Sequence, residues 1–338
     1  MERNYTLDNA KFLMILLVVY GHMIEPLIWQ YASLKSLFLS IYSFHVPVFV
    51  IISGMLTSAK DTPGKTARLF ASLSAPIIVF TVLYELACII TQGAVSNEFK
   101  HFVPYRVMWF LWSLFAWRLF LPVIMKCRFP LLTVTGIALL AGYFTVFGTF
   151  LSIARTLYFF PFFVLGHKMG SGALSAGVLK KIPKIVWVAV LAGNVIICAN
   201  LHTISTRWFS GYSSYFRLGV SDVEGTLLRI AIYGFSLVSA MAVLYLVPDR
   251  KLRISAYGVH SLYAFLWHYF FVMILDDLGL IAMIGKTSDM FALAMLLVVS
   301  IALTVALSSG TVARVTRQKL LNPVTNLLIK PEPPVVSR

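Results

Sequence analysis

The stretch from Lys11 to Gly54 reads KFLMILLVVYGHMIEPLIWQYASLKSLFLSIYSFHVPVFVIISG. It covers nearly all of two apolar blocks, 10–28 and 36–57, on either side of a short polar turn. Each is close to the roughly 20 residues a helix needs to cross a hydrocarbon layer about 30 Å thick. The chain is therefore expected to open with two membrane-crossing helices of opposite direction.

Working outward, the same pattern recurs at 69–92, 107–125, 131–150, 153–167, 185–202, 226–247, 255–275 and 289–309. The spans at 131–150 and 153–167 are the weakest, with a short turn between them and the second under length. Composition agrees with the pattern: 59% of the 338 residues are apolar, 12% are charged, and the mean hydropathy is +0.85. Soluble domains carry about twice that share of charge. The expected fold class is all-α, a polytopic membrane protein of about ten transmembrane helices, with one membrane domain over 1–313 and a short cytoplasmic tail over 314–338.

The net charge of +15 would suit nucleic acid if it were spread over one surface. Instead Lys and Arg gather in the connections 60–68, 126–128, 168–184 and 249–253 and in the tail from Arg314, alternating with poorer connections. That alternation is the positive-inside bias, so both termini are expected in the cytoplasm and no nucleic-acid partner is implied. The three cysteines, Cys88, Cys127 and Cys198, have neither disulfide-framework nor metal spacing. The first apolar stretch carries Lys11, His22 and Glu25 and no small-residue cleavage site, so it is expected to be retained.

Titratable residues inside a span cost about 2.5–3.5 kcal/mol on insertion scales and mark functional candidates. Asp8, Lys11, His22 and Glu25 all lie in or beside the first helix. Lys11 and His22 are eleven residues apart, about 20° beyond three full turns, so they share one face about 16 Å apart along the axis. Glu25, one turn beyond His22, is placed to orient its ring as partners of general bases do; a histidine satisfied by a neighbouring helix is the plainer reading. On the returning helix, His45 falls in the outer half and Ser53 and Gly54 near the inner edge, with Pro47 between. Lys65 and Arg68 sit one turn apart where the third helix begins, a spacing that suits phosphate groups and equally suits ordinary flanking charge. His268 again falls in the outer half, Arg118 is placed to snorkel inward, and His260 and His167 lie elsewhere. The outer loop 203–225 carries Trp208, Tyr212, Tyr215, Arg207 and Arg217, as sugar-stacking groups or as interface anchors.

Several separate segments resemble the acyltransferase-3 family of integral membrane O-acyltransferases, especially its fucose 4-O-acetylase-like branch. TLDNAKFLMILLVVYGH resembles the family's opening, a basic residue and ten residues before a histidine, here Lys11 and His22. VFVIISG resembles Phe-Phe-x-x-Ser-Gly, with Phe49, Ser53 and Gly54 kept and Val50 for the second Phe. KTAR resembles Arg-x-x-Arg, with Lys65 for the first Arg. FHVPVF, MWFLWSLFAWRLFLP, YFFPFFVLGH and SLYAFLWH resemble further segments of the branch.

The resemblance implies a transmembrane acyltransferase domain that uses cytoplasmic acyl-CoA, above all acetyl-CoA, as co-substrate, with no bound cofactor; no metal is expected either, since the histidines and Glu25 lack metal-ligand spacing. The acceptor would be a sugar hydroxyl of a glycan or glycolipid at the outer face of a bacterial inner membrane. In those terms His22 is the general base, Glu25 its orienter, and His45 a group that positions substrate or donates to the developing oxyanion. Lys11, Lys65 and Arg68 hold the donor's phosphates, Ser53 and Gly54 line the thioester path, and His268, Trp208 and Tyr215 border the acceptor. A proton-coupled transporter is the competing class, since intramembrane His and Glu also relay protons. A homo-oligomer is left open.

Overall fold

The computed structural model of the chain describes residues 4–59, 65–104, 106–172, 179 and 181–329, without the side chains of 65–68 and 106. Among the described residues there are ten helices of eleven residues or more and no strands. They are α1 (Tyr5–Ile24), α2 (Ala32–Met55), α3 (Lys65–Gln92), α4 (Trp109–Ile124), α5 (Pro130–Leu140), α6 (Ile153–Gly170), α7 (Lys184–Asn200), α8 (Asp222–Leu246), α9 (Ser261–Asp277) and α10 (Asp289–Leu307). Six segments are long and apolar enough to cross a membrane: Tyr5–Leu27, Ala32–Met55, Leu69–Gln92, Phe150–Gly170, Asp222–Leu246 and Asp289–Leu307. Trp109–Ile124, Pro130–Tyr143 and Lys184–Asn200 are shorter apolar helices. Large apolar side chains such as Ile90, Leu132, Ile185 and Met290 stand exposed on the outside of the bundle, as the wall of a multi-pass membrane protein requires.

The expected span 131–150 is the one that departs most. Helix α5 and its terminal 3₁₀ turn stop at Tyr143, and residues up to Ser152 run irregularly, with Leu151 and Ser152 at positive φ. Helix α6 then extends three residues past its expected end, to Gly170. Residues 255–275 divide into a one-turn helix, Ser255–Val259, and α9. Beyond residue 309 the chain stays helical through Leu328 and packs on α3.

Helices α2 and α6 form the centre, because glycine lets their backbones touch. A Cβ at Gly54 would strike the carbonyl oxygen of Phe163, one at Gly166 that of Ile51, and one at Gly170 that of Met55. Close approach through small residues is how helices gain dispersion energy where lipid offers no hydrophobic contrast. Buried polar clamps tie other helices to this pair. Asn194 of α7 accepts from Ser40 at 2.6 Å and donates to Ser43 at 2.8 Å and to Ser239 of α8 at 3.0 Å. Asn9 of α1 donates to the carbonyls of Pro248 and Arg250, each at 3.0 Å, and accepts from Ser255 at 2.6 Å.

Gly166→Ala should lower the thermal unfolding midpoint in detergent, with a loss of about 1–3 kcal/mol typical of overpacking. Gly136→Ala of α5, whose Cβ would meet open space, should leave it unchanged or raise it.

Candidate active site

A cavity of about 1060 Å³ runs along the bundle between α1, α2, α3, α4 and α6. Lys11, Ser53 and Ser72 line it near the start of α1, the end of α2 and the start of α3, which is one end of the bundle. Glu25, Trp29, Glu98 and Arg207 line it at the other. His22 and His45 stand on the wall between. A polar group reached from both ends is what a reaction between two differently delivered substrates needs.

The protonation pattern follows from the partners. His22 Nδ1 lies 3.0 Å from Glu25 Oε2, and a carboxylate accepts, so Nδ1 donates; in the neutral ring this leaves Nε2 as the acceptor. Local structure makes this pair. Pro26 follows Glu25, and the helix tightens there into the 3₁₀ turn Glu25–Leu27, leaving the carboxylate one turn above the ring. The rings of Tyr269 and His268 stand 5.4 and 5.5 Å from that of His22. His45 is buried and donates from Nδ1 to Ile41 O at 2.7 Å, so its neutral ring meets a substrate through Nε2 as an acceptor. Donation to an oxyanion would require a second proton on that ring.

The acyltransferase-3 profile, described as an acyltransferase domain, matches residues 4–309. The chain belongs to that family. Two curated relatives, each named "Nodulation protein NolL", are 28% identical to this acyltransferase-3 chain. The one from Sinorhizobium fredii (strain NBRC 101917 / NGR234) aligns over 181 residues, 49% of this chain and 48% of its own length. The one from Mesorhizobium japonicum (strain LMG 29417 / CECT 9101 / MAFF 303099) aligns over 179 residues, 49% and 47%. The chain thus spans about half the length of the curated relatives it matches. No solved structure matches it.

Within this acyltransferase-3 fold the residues singled out from sequence fall into distinct places. Lys11 lines the cavity with its ammonium 2.8 Å from Asp8, and Ser53 lines it nearby. Gly54 does not; it faces the backbone of α6 and serves the helix crossing. Lys65 and Arg68 occupy the first turn of α3, and their side chains lie outside the described residues. His268 is fully buried and absent from the cavity wall, with Nδ1 donating to Ala264 O and Phe265 O at 3.0 and 2.8 Å. Its neighbour is His22, and it does not line the cavity.

The two loop aromatics expected against a sugar turn inward instead. Tyr215 has no exposed surface; its hydroxyl donates to Leu139 O at 3.0 Å, Arg229 lies 4.6 Å over its ring, and Gly142 and Gly225 crowd it. Trp208 is buried, and its carbonyl accepts from Tyr158 at 3.1 Å. The reason is Arg229, a cation in α8 that needs partners away from water. It takes the carbonyls of Ala138 and Ser213 and the faces of Tyr158 and Tyr215, folding the loop down over itself.

Tyr212 of the same loop is the ring on the cavity wall, and it sits 4.9 Å from the guanidinium of Arg155. Arg155 reaches Trp109 on its other side at 5.2 Å. Sequence reading missed Arg155, whose one signal is its place in the first turn of an apolar helix. Tyr42, between His22 and His45 with ring separations of 6.4 and 4.6 Å, had no signal at all. Among the described residues no group of three or more His, Cys, Asp or Glu side chains gathers as metal ligands would.

Tyr215→Phe should cost about 1 kcal/mol of stability through its lost hydrogen bond, seen as a lower unfolding midpoint in detergent. Its kinetic constants should match those of the unaltered protein, because the ring does not reach the cavity.

Proposed function

We propose that the protein is an integral membrane O-acyltransferase that moves an acetyl or other short acyl group from cytoplasmic acyl-CoA to a sugar hydroxyl of a cell-surface polysaccharide, glycolipid or glucan. In this reading ten helices cross a bacterial inner membrane with both termini in the cytoplasm. Helices α4, α5, α7 and α9 then make four crossings in addition to those of the six longer segments. The observation that carries it is the Glu25-anchored imidazole of His22 on the wall of a cavity running from one end of the bundle to the other.

The chemistry follows from that tautomer. The donor's thioester enters past Ser53, and the acceptor enters from the end lined by Tyr212 and Arg155. His22 Nε2 takes the proton of the sugar hydroxyl as its oxygen attacks the thioester carbonyl. Glu25 steadies the imidazolium through Nδ1. The tetrahedral intermediate collapses by expelling the thiolate, which takes the proton from Nε2, so the ring returns to its starting form. His45 accepts a hydrogen bond from whichever substrate group faces it.

His22→Ala should reduce acyl transfer from labelled acetyl-CoA by about 10²–10⁴-fold while the protein still inserts and elutes as a single species. Glu25→Gln should reduce it less. Substantial turnover by His22→Ala would defeat the general-base role, and a protein that moves solute without consuming thioester would be a transporter. Single-cysteine labelling from outside intact cells should reach the loop 203–225; labelling only after permeabilisation would invert the topology and remove the outer acceptor.

A further inference from the structure

Among the described side chains, four Lys and Arg residues line the cavity: Lys11, Arg118, Arg155 and Arg207. Three have a visible employment or a wet location. Lys11 is held against Asp8, Arg155 lies between Trp109 and Tyr212, and Arg207 is exposed on the loop. Arg118 differs. It lies inside α4, among the described residues it has no ion pair, and its buried Nε has no hydrogen-bond partner.

Its depth can be read from its neighbours. Helix α4 starts at Trp109, beside Arg155 in the first turn of α6, and Arg118 is nine residues further along, about 13 Å by helical rise. Phe115 of α4 meets Phe70, near the start of α3, with ring centroids 6.0 Å apart. Arg118 lies almost one turn beyond Phe115, so it belongs to the end of the cavity lined by Lys11, Ser53 and Ser72. The carboxylates that line the cavity among the described residues, Glu25 and Glu98, lie at the opposite end.

A guanidinium in a membrane-embedded helix is costly unless something anionic meets it. Among the described residues no carboxylate pairs with it, and lipid tails supply none. The geometry points to Arg118 as the anion-binding residue of the donor end, taking a phosphate of the CoA moiety on its planar fork. The proposal rests on the acyl-CoA reading above and refines it. With Lys11 offset by Asp8, the uncompensated positive charge at that end of the cavity among the described side chains is Arg118. A planar fork holds two phosphate oxygens at once, which an ammonium does not. In this position the phosphate stays near the cytoplasmic mouth while the pantetheine arm carries the thioester toward His22.

The test compares donors within each variant, so partial misfolding cancels. Acyl transfer is measured with acetyl-CoA, with dephospho-acetyl-CoA lacking the 3′-phosphate, and with S-acetylpantetheine, which keeps the thioester and has no CoA phosphate. The wild type should prefer acetyl-CoA over S-acetylpantetheine by kcat/KM, and Arg118→Gln should reduce that preference about tenfold or more, as loss of a charge-assisted pair predicts. Arg118→Lys should retain part of it. Within the supporting outcome, a preference lost already with the dephospho donor assigns the 3′-phosphate, and one kept with it assigns the pyrophosphate. Wild-type turnover with an unchanged ratio in Arg118→Gln would overturn the assignment of Arg118 alone. A wild type that consumes none of the three thioesters would overturn the donor reading beneath it.

Discussion

Backbone contact between α2 and α6 is the constraint on which the remaining geometry depends. Gly54, Gly166 and Gly170 remove the side chains that would hold the two helices apart, and each glycine meets a carbonyl of the other helix. In lipid such contact is favoured by packing density alone, since moving an apolar side chain from lipid to protein gains little hydrophobic energy. The crossing sets the rotation of α2, and that rotation turns His45 and Ser53 toward the cavity. Helix α1 lies on the same wall with Lys11 and His22. The glycine of the Ser-Gly pair and its serine thus do different work: one permits the crossing, and the other is displayed by it.

A second principle sorts the polar residues. Most intramembrane polar groups are satisfied inside the protein, as the absence of water demands. Asn9 and Asn194 spend their amide donors on carbonyls and hydroxyls from distant parts of the chain, and Arg229 gives Nη1 and Nη2 to two carbonyls. These are tertiary fasteners. The residues along the cavity are poised otherwise, because His22 and His45 each commit one ring nitrogen to a fixed partner and keep the other for something that arrives. The distinction between fastener and working group lies in which atoms are already used, and residue type alone does not reveal it.

His268 shows how far this reasoning extends. Two backbone carbonyls hold its Nδ1–H, and its Nε2 is buried without a partner beside the ring of His22. A neutral ring with one committed donor keeps only an acceptor at the other nitrogen, and residue type alone does not distinguish this buried histidine from the two on the cavity wall.

The amino-acid sequence by itself determined that the chain is helical, that it belongs in a bilayer, and where nearly every helix lies. Each of those follows from the length and composition of local apolar runs, which the membrane reads segment by segment. Spacing also brought out His22 and Glu25, because three residues along a helix or its last turn are neighbours whatever surrounds them. Tertiary structure decided which residues face the cavity. Lipid and protein core are both apolar, so a membrane helix has little contrast between its faces, and periodicity could not separate Tyr212 from Tyr215, Ser53 from Gly54, or Arg118 at the cavity from a snorkelling arginine. That choice was made by long-range contacts: glycines that let α2 meet α6, and the demand of Arg229 for partners that drew Tyr215 inward and left Tyr212 on the cavity wall.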